Sequence, residues 1–203
     1  MKKITITILI LAGISSKVFS QPETIWQLLQ NGDIIRWAYT DGDEFNGNSL
    51  DETKWLNSYS WGRNYAGTCY QEYMTDGQNF EFDNGVLKLV AKEEDIFARG
   101  VPYESDNFLL QDGQPNLRWW HYTSAMIFSK RRYKYGLFEI RFKLPEGKGL
   151  WPAFWLYGGN PNEEFDIFEY KGETPNQVHI DMHCPGSDCN GFGGWVTATG
   201  NFA

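Results

Sequence analysis

Cysteine is scarce in this chain, with three among 203 residues, at Cys69, Cys184 and Cys189. Three cysteines are too few for a disulfide-built scaffold or for a zinc site with four cysteine ligands. Cys184 and Cys189 bracket the turn-forming sequence Pro-Gly-Ser-Asp, so in an oxidising compartment we expect them to close a small disulfide loop. Cys69 would then remain as a buried, unreactive thiol.

Long apolar runs are also missing, apart from one near the N-terminus. Lys2 and Lys3 precede an apolar run over residues 4–14, and small residues stand at Val18 and Ser20. This pattern predicts a signal peptide over residues 1–20 and a mature chain that begins at Gln21. A membrane anchor is the alternative, but the run is short for a bilayer span. We therefore expect a secreted, periplasmic or cell-surface protein with no membrane span.

Basic residues are few, with 18 Lys and Arg against 26 Asp and Glu. The first 20 residues hold three lysines and no acid, so the mature chain would carry 15 basic and 26 acidic side chains, a net charge of −11. Such a surface repels phosphate backbones, which argues against a nucleic-acid partner. Neutral polymers, or cations held by carboxylates, suit it better.

Runs with helical periodicity are scarce, whereas apolar and polar residues alternate in several short segments separated by Gly, Asn, Asp and Pro. The alternation predicts antiparallel strands and an all-β sandwich or jelly roll over residues 21–203. Asp83-Asn84-Gly85 predicts a hairpin turn that leads into a strand. A further strand is predicted from Tyr135 to Leu144, and a long surface connection from Lys92 to His121.

The segment from Trp151 to Tyr157 alternates with apolar residues on both faces. Phe154 and Leu156 share one face, and Trp151 and Trp155 lie on the other. Either one face packs in the core while the other lines an aromatic cleft, or both faces are buried. Periodicity alone leaves these two alternatives open.

Acidic and apolar residues are interleaved from Glu163 to Tyr170. On a regular strand Glu164 and Asp166 share a face and Glu169 points away, but one bulge at Ile167-Phe168 returns Glu169 to their face. Three neighbouring carboxylates are electrostatically costly, which suggests a function. A pair of carboxyls is what retaining glycoside hydrolysis uses, with one as nucleophile and one as acid and then base. A solvated edge strand and a Ca²⁺ site are the alternatives.

The segment Val178 to His183 alternates His179, Asp181 and His183 against apolar residues. If this strand pairs with the carboxylate strand, at least one histidine faces the same cleft. We favour His183 over His179 as a substrate-binding residue, and either could instead be an ordinary exposed side chain.

Several short motifs in order make the mature chain resemble glycoside hydrolase family 16. The motifs are Asp43-Glu44-Phe45-Asn46-Gly47, Asn84-Gly85-Val86-Leu87, Tyr122-Thr123-Ser124, Tyr135-Gly136-Leu137-Phe138-Glu139, Gly149-Leu150-Trp151-Pro152-Ala153-Phe154-Trp155 and Glu164-Phe165-Asp166-Ile167-Phe168-Glu169. Each motif is weak alone, and their order together is specific. The extra residue in Glu-x-Asp-x-x-Glu resembles the bulged form of the laminarinase-like and agarase-like branches.

The resemblance implies a concanavalin A-like jelly roll with a concave glycan cleft and a retaining endo-glycosidase activity on a β-linked polysaccharide. It implies that Glu164 is the nucleophile, Asp166 the assisting carboxylate and Glu169 the acid/base, with Trp151 and Trp155 in the cleft. It implies no required cofactor and no catalytic metal, and it allows a structural Ca²⁺. A β-glucan and an algal galactan are both compatible substrates.

The chain departs from the family pattern at Ala125, where glycine is expected, and in the Cys184–Cys189 loop. Family members continue with further strands beyond Ala203, so we expect the catalytic domain to be incomplete at its C-terminus. A transglycosylase would share this chemistry, with a sugar attacking in place of water. A non-catalytic glycan-binding jelly roll is the rival from another class, and a Ca²⁺-dependent adhesive domain is a weaker one.

Overall fold

The computed structural model describes residues 4–8, 25–28, 32–66, 70–102, 117–158, 163–183 and 193–197. Every regular element in these ranges is a β-strand, as the alternating sequence predicts. No helix in this part of the chain is long and apolar enough to cross a membrane. The cysteine loop predicted at Cys184 and Cys189 lies outside the described residues, as does Cys69.

The chain divides into two compact units, residues 9–142 and residues 1–8 with 143–203. The strands of the first unit are β2 (Ile25–Leu28), β3 (Ile34–Trp37), β4 (Trp55–Leu56), β5 (Tyr65–Ala66), β6 (Glu72–Met74), β7 (Phe80–Phe82), β8 (Leu87–Arg99), β9 (Val101–Pro102), β10 (Leu117–Ser124) and β11 (Phe128–Ser129). The pairs β2–β3, β4–β11, β7–β8 and β8–β10 are antiparallel, and β5–β9 and β6–β10 are parallel.

The core of this unit combines apolar side chains with one buried amide. Leu87, Val90 and Trp120 are fully buried. Asn79, also fully buried, donates to the carbonyl of Val90 at 2.7 Å and to Thr123 Oγ1 at 3.0 Å. Its Oδ1 accepts from Thr75 Oγ1 at 2.6 Å, so each polar atom of the side-chain amide has a partner and its burial costs little.

The hairpin predicted at Asp83-Asn84-Gly85 is confirmed. Asp83 and Val86 exchange two backbone hydrogen bonds of 3.0 Å, and Asn84 and Gly85 both have positive φ, at 49° and 77°. Asn and Gly are the residues that tolerate this conformation, so the turn follows directly from the sequence.

Two predictions about where strands lie are wrong. The long connection predicted from Lys92 to His121 is wrong at both of its ends, because β8 continues to Arg99 and pairs with β10 from Leu117 onward, while residues 103–116 lie outside the described residues. Residues 93–95 are exposed, so no buried face imposes a period of two on them. No strand of the described residues lies within the predicted strand from Tyr135 to Leu144, although exposure alternates from Leu137 onward. Alternation of apolar and polar residues indicates which side chains are covered, but a strand also needs a neighbouring strand to which its backbone is hydrogen-bonded.

The second unit contains β1 (Ile4–Ile8) and an antiparallel sheet in the order β12 (Ala153–Tyr157), β13 (Glu164–Tyr170), β14 (Gln177–His183) and β15 (Gly193–Thr197). Phe168, Tyr170 and Val178 are its buried hydrophobic residues in β13 and β14. The central strand β13 carries the acidic motif, and the opposite face of its sheet is available for a site.

Candidate active site

A β-bulge in β13 brings the three acidic residues of the motif to one face. On β14, Asp166 pairs with Asp181 and Glu169 with His179, so three steps along β13 match two along β14. The register against β12 shifts at the same place. The bulge therefore lies at Ile167-Phe168, where the spacing of the acids predicts it. We call the resulting surface, with Glu164, Asp166 and Glu169, the carboxylate face.

The register of β12 decides which face of that strand is the cleft side. Ala153, Trp155 and Tyr157 lie directly opposite Glu169, Asp166 and Glu164. Residues directly opposite each other in a sheet share a face, so Trp155 belongs to the carboxylate face. Phe154 lies behind it, with its ring centroid 6.3 Å from that of Phe168. Of the two alternatives left open by the sequence, the structure has an apolar face and a separate aromatic cleft face.

Glu164 and Asp166 form the more deeply set end of the carboxylate face. Asp166 is 3% exposed, and a ligand atom from each of Glu164, Asp166 and His183 lies within 4.8 Å of the others. Burial, followed by the negative charge of Asp166, raises the pKa of Glu164 to about 7. Burial and the charge of Glu169 also raise the pKa of Asp166. Like charges at close range disfavour full ionisation, so this pair retains a proton near neutral pH.

His183 lies beside this pair, with its Nε2 3.4 Å from Asp166 Oδ2 and 3.9 Å from Asp181 Oδ2. Its side chain is 54% exposed, so a substrate can reach it. The position agrees with the expectation that His183 faces the cleft, and its binding of substrate stays a prediction. These carboxylates and the imidazole could also hold a divalent cation, the alternative that the sequence raised.

Glu169 forms the other end, in an open cleft lined by Trp151, Glu169, Lys171, His179 and Trp195. Trp151 donates from Nε1 to Glu169 Oε1 at 3.0 Å, and His179 Nδ1 lies 3.3 Å from Glu169 Oε2. The predicted cleft residue Trp151 precedes β12 and is 61% exposed. A carboxyl beside exposed indole faces suits a sugar ring and its glycosidic oxygen.

Three residues of this cleft were not selected from the sequence as site residues. His179 was ranked below His183, and Lys171 and Trp195 were not considered. Trp195 packs its ring on His179, with centroids 4.9 Å apart, and the Lys171 ammonium lies 5.3 Å from the Trp151 ring and 5.4 Å from the Trp195 ring. A tryptophan in a short alternating segment after Gly193-Gly194 is the signal that could have identified Trp195.

Comparisons with known proteins agree with this arrangement. Residues 70–202 match the family described as Glycosyl hydrolases family 16. The chain is 34% identical over 157 residues to a glucan endo-1,3-beta-glucosidase of Cryptopygus antarcticus, covering 72% of this chain and 51% of that protein. It is 33% identical over 161 residues to a beta-glucanase of Rhodothermus marinus, covering 72% of this chain and 48% of that protein. The chain thus spans about half the length of these curated relatives.

Among solved structures, the chain resembles the endo-beta-1,3-glucanase of Pyrococcus furiosus with a TM-score of 0.60 and 26% identity, over 89% of this chain and 67% of that one. This likeness, with an all-strand structure, confirms the all-β jelly-roll fold. The matched region contains the whole carboxylate face together with Trp151 and Trp195. The chain belongs to glycosyl hydrolase family 16.

Proposed function

We propose that the chain is an exported, retaining endo-glycoside hydrolase that cleaves a β-1,3-linked glucan by double displacement. The observation that carries the proposal is the bulge in β13, which sets Glu164 and Glu169 on one face with Asp166 between them. Two carboxyls flanking a glycosidic bond are the functional groups that this reaction requires. The glucan is supported by the relatives named as 1,3-glucanases.

In the first step Glu169 gives its proton to the glycosidic oxygen while the Glu164 carboxylate attacks the anomeric carbon. The bond from that carbon to the leaving sugar breaks, and an ester to Glu164 forms. In the second step the Glu169 carboxylate takes a proton from water, whose oxygen attacks the anomeric carbon and releases Glu164. Two inversions retain the configuration.

The nucleophilic step needs Glu164 ionised, although its pKa of about 7 favours a proton there at lower pH. In the free protein burial raises the pKa of both side chains, and the hydrogen bond between them raises the pKa of Glu164 further and opposes the raised pKa of Asp166, so the shared proton lies mainly on Glu164. We propose that this proton moves to Asp166, the more buried partner, before Glu164 attacks. A protonated Asp166 donates to Glu164 and leaves that carboxylate free to attack.

The proposal is tested by reducing-end release from laminarin, lichenan, agarose, porphyran and carrageenan. We expect release from laminarin by the wild type and a loss of about 10⁴-fold or more in Glu164→Gln, as for other removed nucleophiles. The matched control is Glu163→Gln, which alters the exposed neighbouring acid and should leave the rate unchanged. Binding of laminarin without any cleavage would instead support the glycan-binding module, and release in Glu164→Gln would refute the assignment.

Export is the second part of the proposal and has its own test. The chain expressed with its first 20 residues should appear outside the cytoplasm with Gln21 at its N-terminus, as N-terminal sequencing would show. An intracellular product that retains Met1 would refute the export.

A structural Ca²⁺ bound away from the carboxylate face is compatible with this chemistry, since neither displacement step needs a metal ion. We propose that any such ion affects only stability. Removal of Ca²⁺ with a chelator should lower the melting temperature at most, and loss of cleavage at a temperature where the protein stays folded would refute this.

A further inference from the structure

The carboxyl group of Glu169 is held at both oxygens by groups from outside β13. Oε1 accepts from the indole of Trp151, which precedes β12, and Oε2 contacts Nδ1 of His179 on β14. His179 lies directly opposite Glu169 in the sheet. A carboxyl fixed at both oxygens cannot rotate without breaking one of these hydrogen bonds, so its direction in the cleft is defined.

His179 is itself held from its other side. Its register partner on β15 is Trp195, and the two ring centroids are 4.9 Å apart with 45° between the planes. The side chains of His179 and Glu169 are each 25% exposed, so the contact between them is partly sheltered from water. A sheltered contact between oriented groups is stronger than the same contact at an open surface.

Acidic and aromatic side chains surround the carboxyl group of Glu169 among the described residues. Within the described ranges, no lysine or arginine lies within 4.0 Å of the Glu169 carboxylate, and the Lys171 ammonium lies over the Trp151 and Trp195 rings. Glu164 and Asp166 on the same strand are acidic neighbours of Glu169. The imidazole of His179 is therefore the titratable group in direct contact with it.

We propose that His179 is a positioning residue for Glu169, which keeps the carboxyl directed at the glycosidic oxygen in both of its protonation states. This inference rests on the proposed function, in which Glu169 is an acid in the first step and a base in the second. A neutral imidazole suits both states, because Nδ1–H donates to Oε2 whether that oxygen belongs to a carboxylate or is the carbonyl oxygen of the acid, and in the acid the proton on Oε1 stays free for the glycosidic oxygen. A lysine at this position would add a positive charge that favours the carboxylate over the acid.

The proton balance of the reaction is unchanged by this contact. His179 neither gains nor loses a proton in either step, because its Nδ1–H donates to Oε2 throughout. The proton that Glu169 gives to the leaving oxygen is the one it later regains from the attacking water.

The test compares aryl β-glycosides of a 1,3-linked glucan oligosaccharide that differ in their leaving group. Phenoxide needs a proton from Glu169 in order to leave, whereas 2,4-dinitrophenoxide leaves without one. In the full chain, His179→Leu should lower kcat/KM for the phenyl glycoside about 10- to 100-fold, the range expected when a hydrogen bond to a charged group is lost. The value for the dinitrophenyl glycoside should change less than threefold.

His179→Asn provides the conservative variant, since its amide can place a donor or an acceptor near the position of Nδ1. We expect it to restore most of the activity on the phenyl glycoside. Gln177→Leu is the matched control, because Gln177 lies on the same strand and contacts Thr197 instead of Glu169. It should leave both substrates unaffected.

Equal losses on both glycosides, no loss on either, or no rescue by His179→Asn would overturn the inference while leaving the proposed function in place. A wild type that cleaves neither glycoside would overturn both. If His179→Leu does not fold, Trp195→Leu removes the contact that orients the imidazole. A smaller loss confined to the phenyl glycoside is then expected, and an equal loss on both would contradict the inference.

Discussion

The indole Nε1 of Trp151 donates a hydrogen bond of 3.0 Å to Oε1 of Glu169. The same indole is 61% exposed and lines the cleft. In the proposed function Trp151 therefore has two tasks, as a flat surface for a sugar ring and as a fixed donor to the acid/base. The two tasks can be separated by substitution.

Trp151→Phe keeps an aromatic face and removes the donor. We expect kcat to fall about tenfold or more, the effect of one lost hydrogen bond to a carboxylate, with KM little changed. Trp151→Ala should raise KM as well, because the ring surface is also lost. Steady-state kinetics on laminarin distinguish the two variants, and a Trp151→Phe enzyme with wild-type kcat would show that the hydrogen bond has no role.

Glu164→Gln should stabilise the protein at high pH while it abolishes activity. A carboxyl whose folded pKa is raised binds its proton more tightly when folded, so its ionisation costs stability as pH rises from about 4.5 to about 7. Above pH 7 the cost is fully present, at roughly 3 kcal/mol, and below pH 4.5 it is absent.

Denaturant unfolding of the wild type and Glu164→Gln at pH 8 and pH 4.5 measures this difference. The variant should be the more stable protein at pH 8, and the two should converge at pH 4.5. Glu163→Gln, at an exposed position, should follow the wild type at both values. A Glu164→Gln protein with no gain at pH 8 would contradict the proposed electrostatic cost.

Asp166 is expected to act as a neutral donor to Glu164. Asp166→Asn keeps a donor of the same shape, whereas Asp166→Val keeps the shape and removes the donor. We therefore expect Asp166→Asn to retain at least about tenfold more activity than Asp166→Val, from the free energy of one hydrogen bond to a charged group. Equal activities in the two variants would mean that Asp166 acts through its negative charge.

Gly172 sets the position of the chain that follows β13. Its amide donates to the Leu150 carbonyl and its carbonyl accepts from the Gly147 amide, each at 3.0 Å. A Cβ at Gly172 would lie 2.1 Å from the Gly147 oxygen. Because backbone cannot move aside as a side chain can, Gly172→Ala should destabilise the protein by about 1–3 kcal/mol or more.

Gly194→Ala is the control for this change, since a Cβ there meets nothing within 4 Å. Thermal unfolding should show a lower melting temperature for Gly172→Ala and a near-normal one for Gly194→Ala. Similar melting temperatures in both would refute the close approach at Gly147.

The bulge and the hairpin turn could be predicted because each depends on a short, local sequence pattern. The acids at 164, 166 and 169 share a face only if one residue is added, and Asn84-Gly85 suits a turn with positive φ. The extent of β8 could not be predicted, since its exposed residues 93–95 have no buried face to impose a pattern. Backbone pairing between distant segments joins β8 to β10, and periodicity within one segment does not report it.

Only the part of the cleft that comes from a single strand could be predicted from the sequence. Glu164, Asp166 and Glu169 come from one strand and are visible as a motif, whereas His179 and Trp195 reach Glu169 only through the order of β13, β14 and β15. Alternation places His179 and His183 on one face and so cannot rank one above the other. Only the register shows that His179 lies opposite Glu169 and His183 opposite Glu164.

The covalent intermediate tests the central claim most directly. A 2-deoxy-2-fluoro aryl glycoside of a 1,3-linked glucan oligosaccharide slows both displacement steps, and its good leaving group keeps the first step accessible. Peptide mapping by mass spectrometry should then find one glycosyl group bound to Glu164. A label on Glu169, or continued cleavage of laminarin with no labelled carboxyl, would contradict double displacement through Glu164.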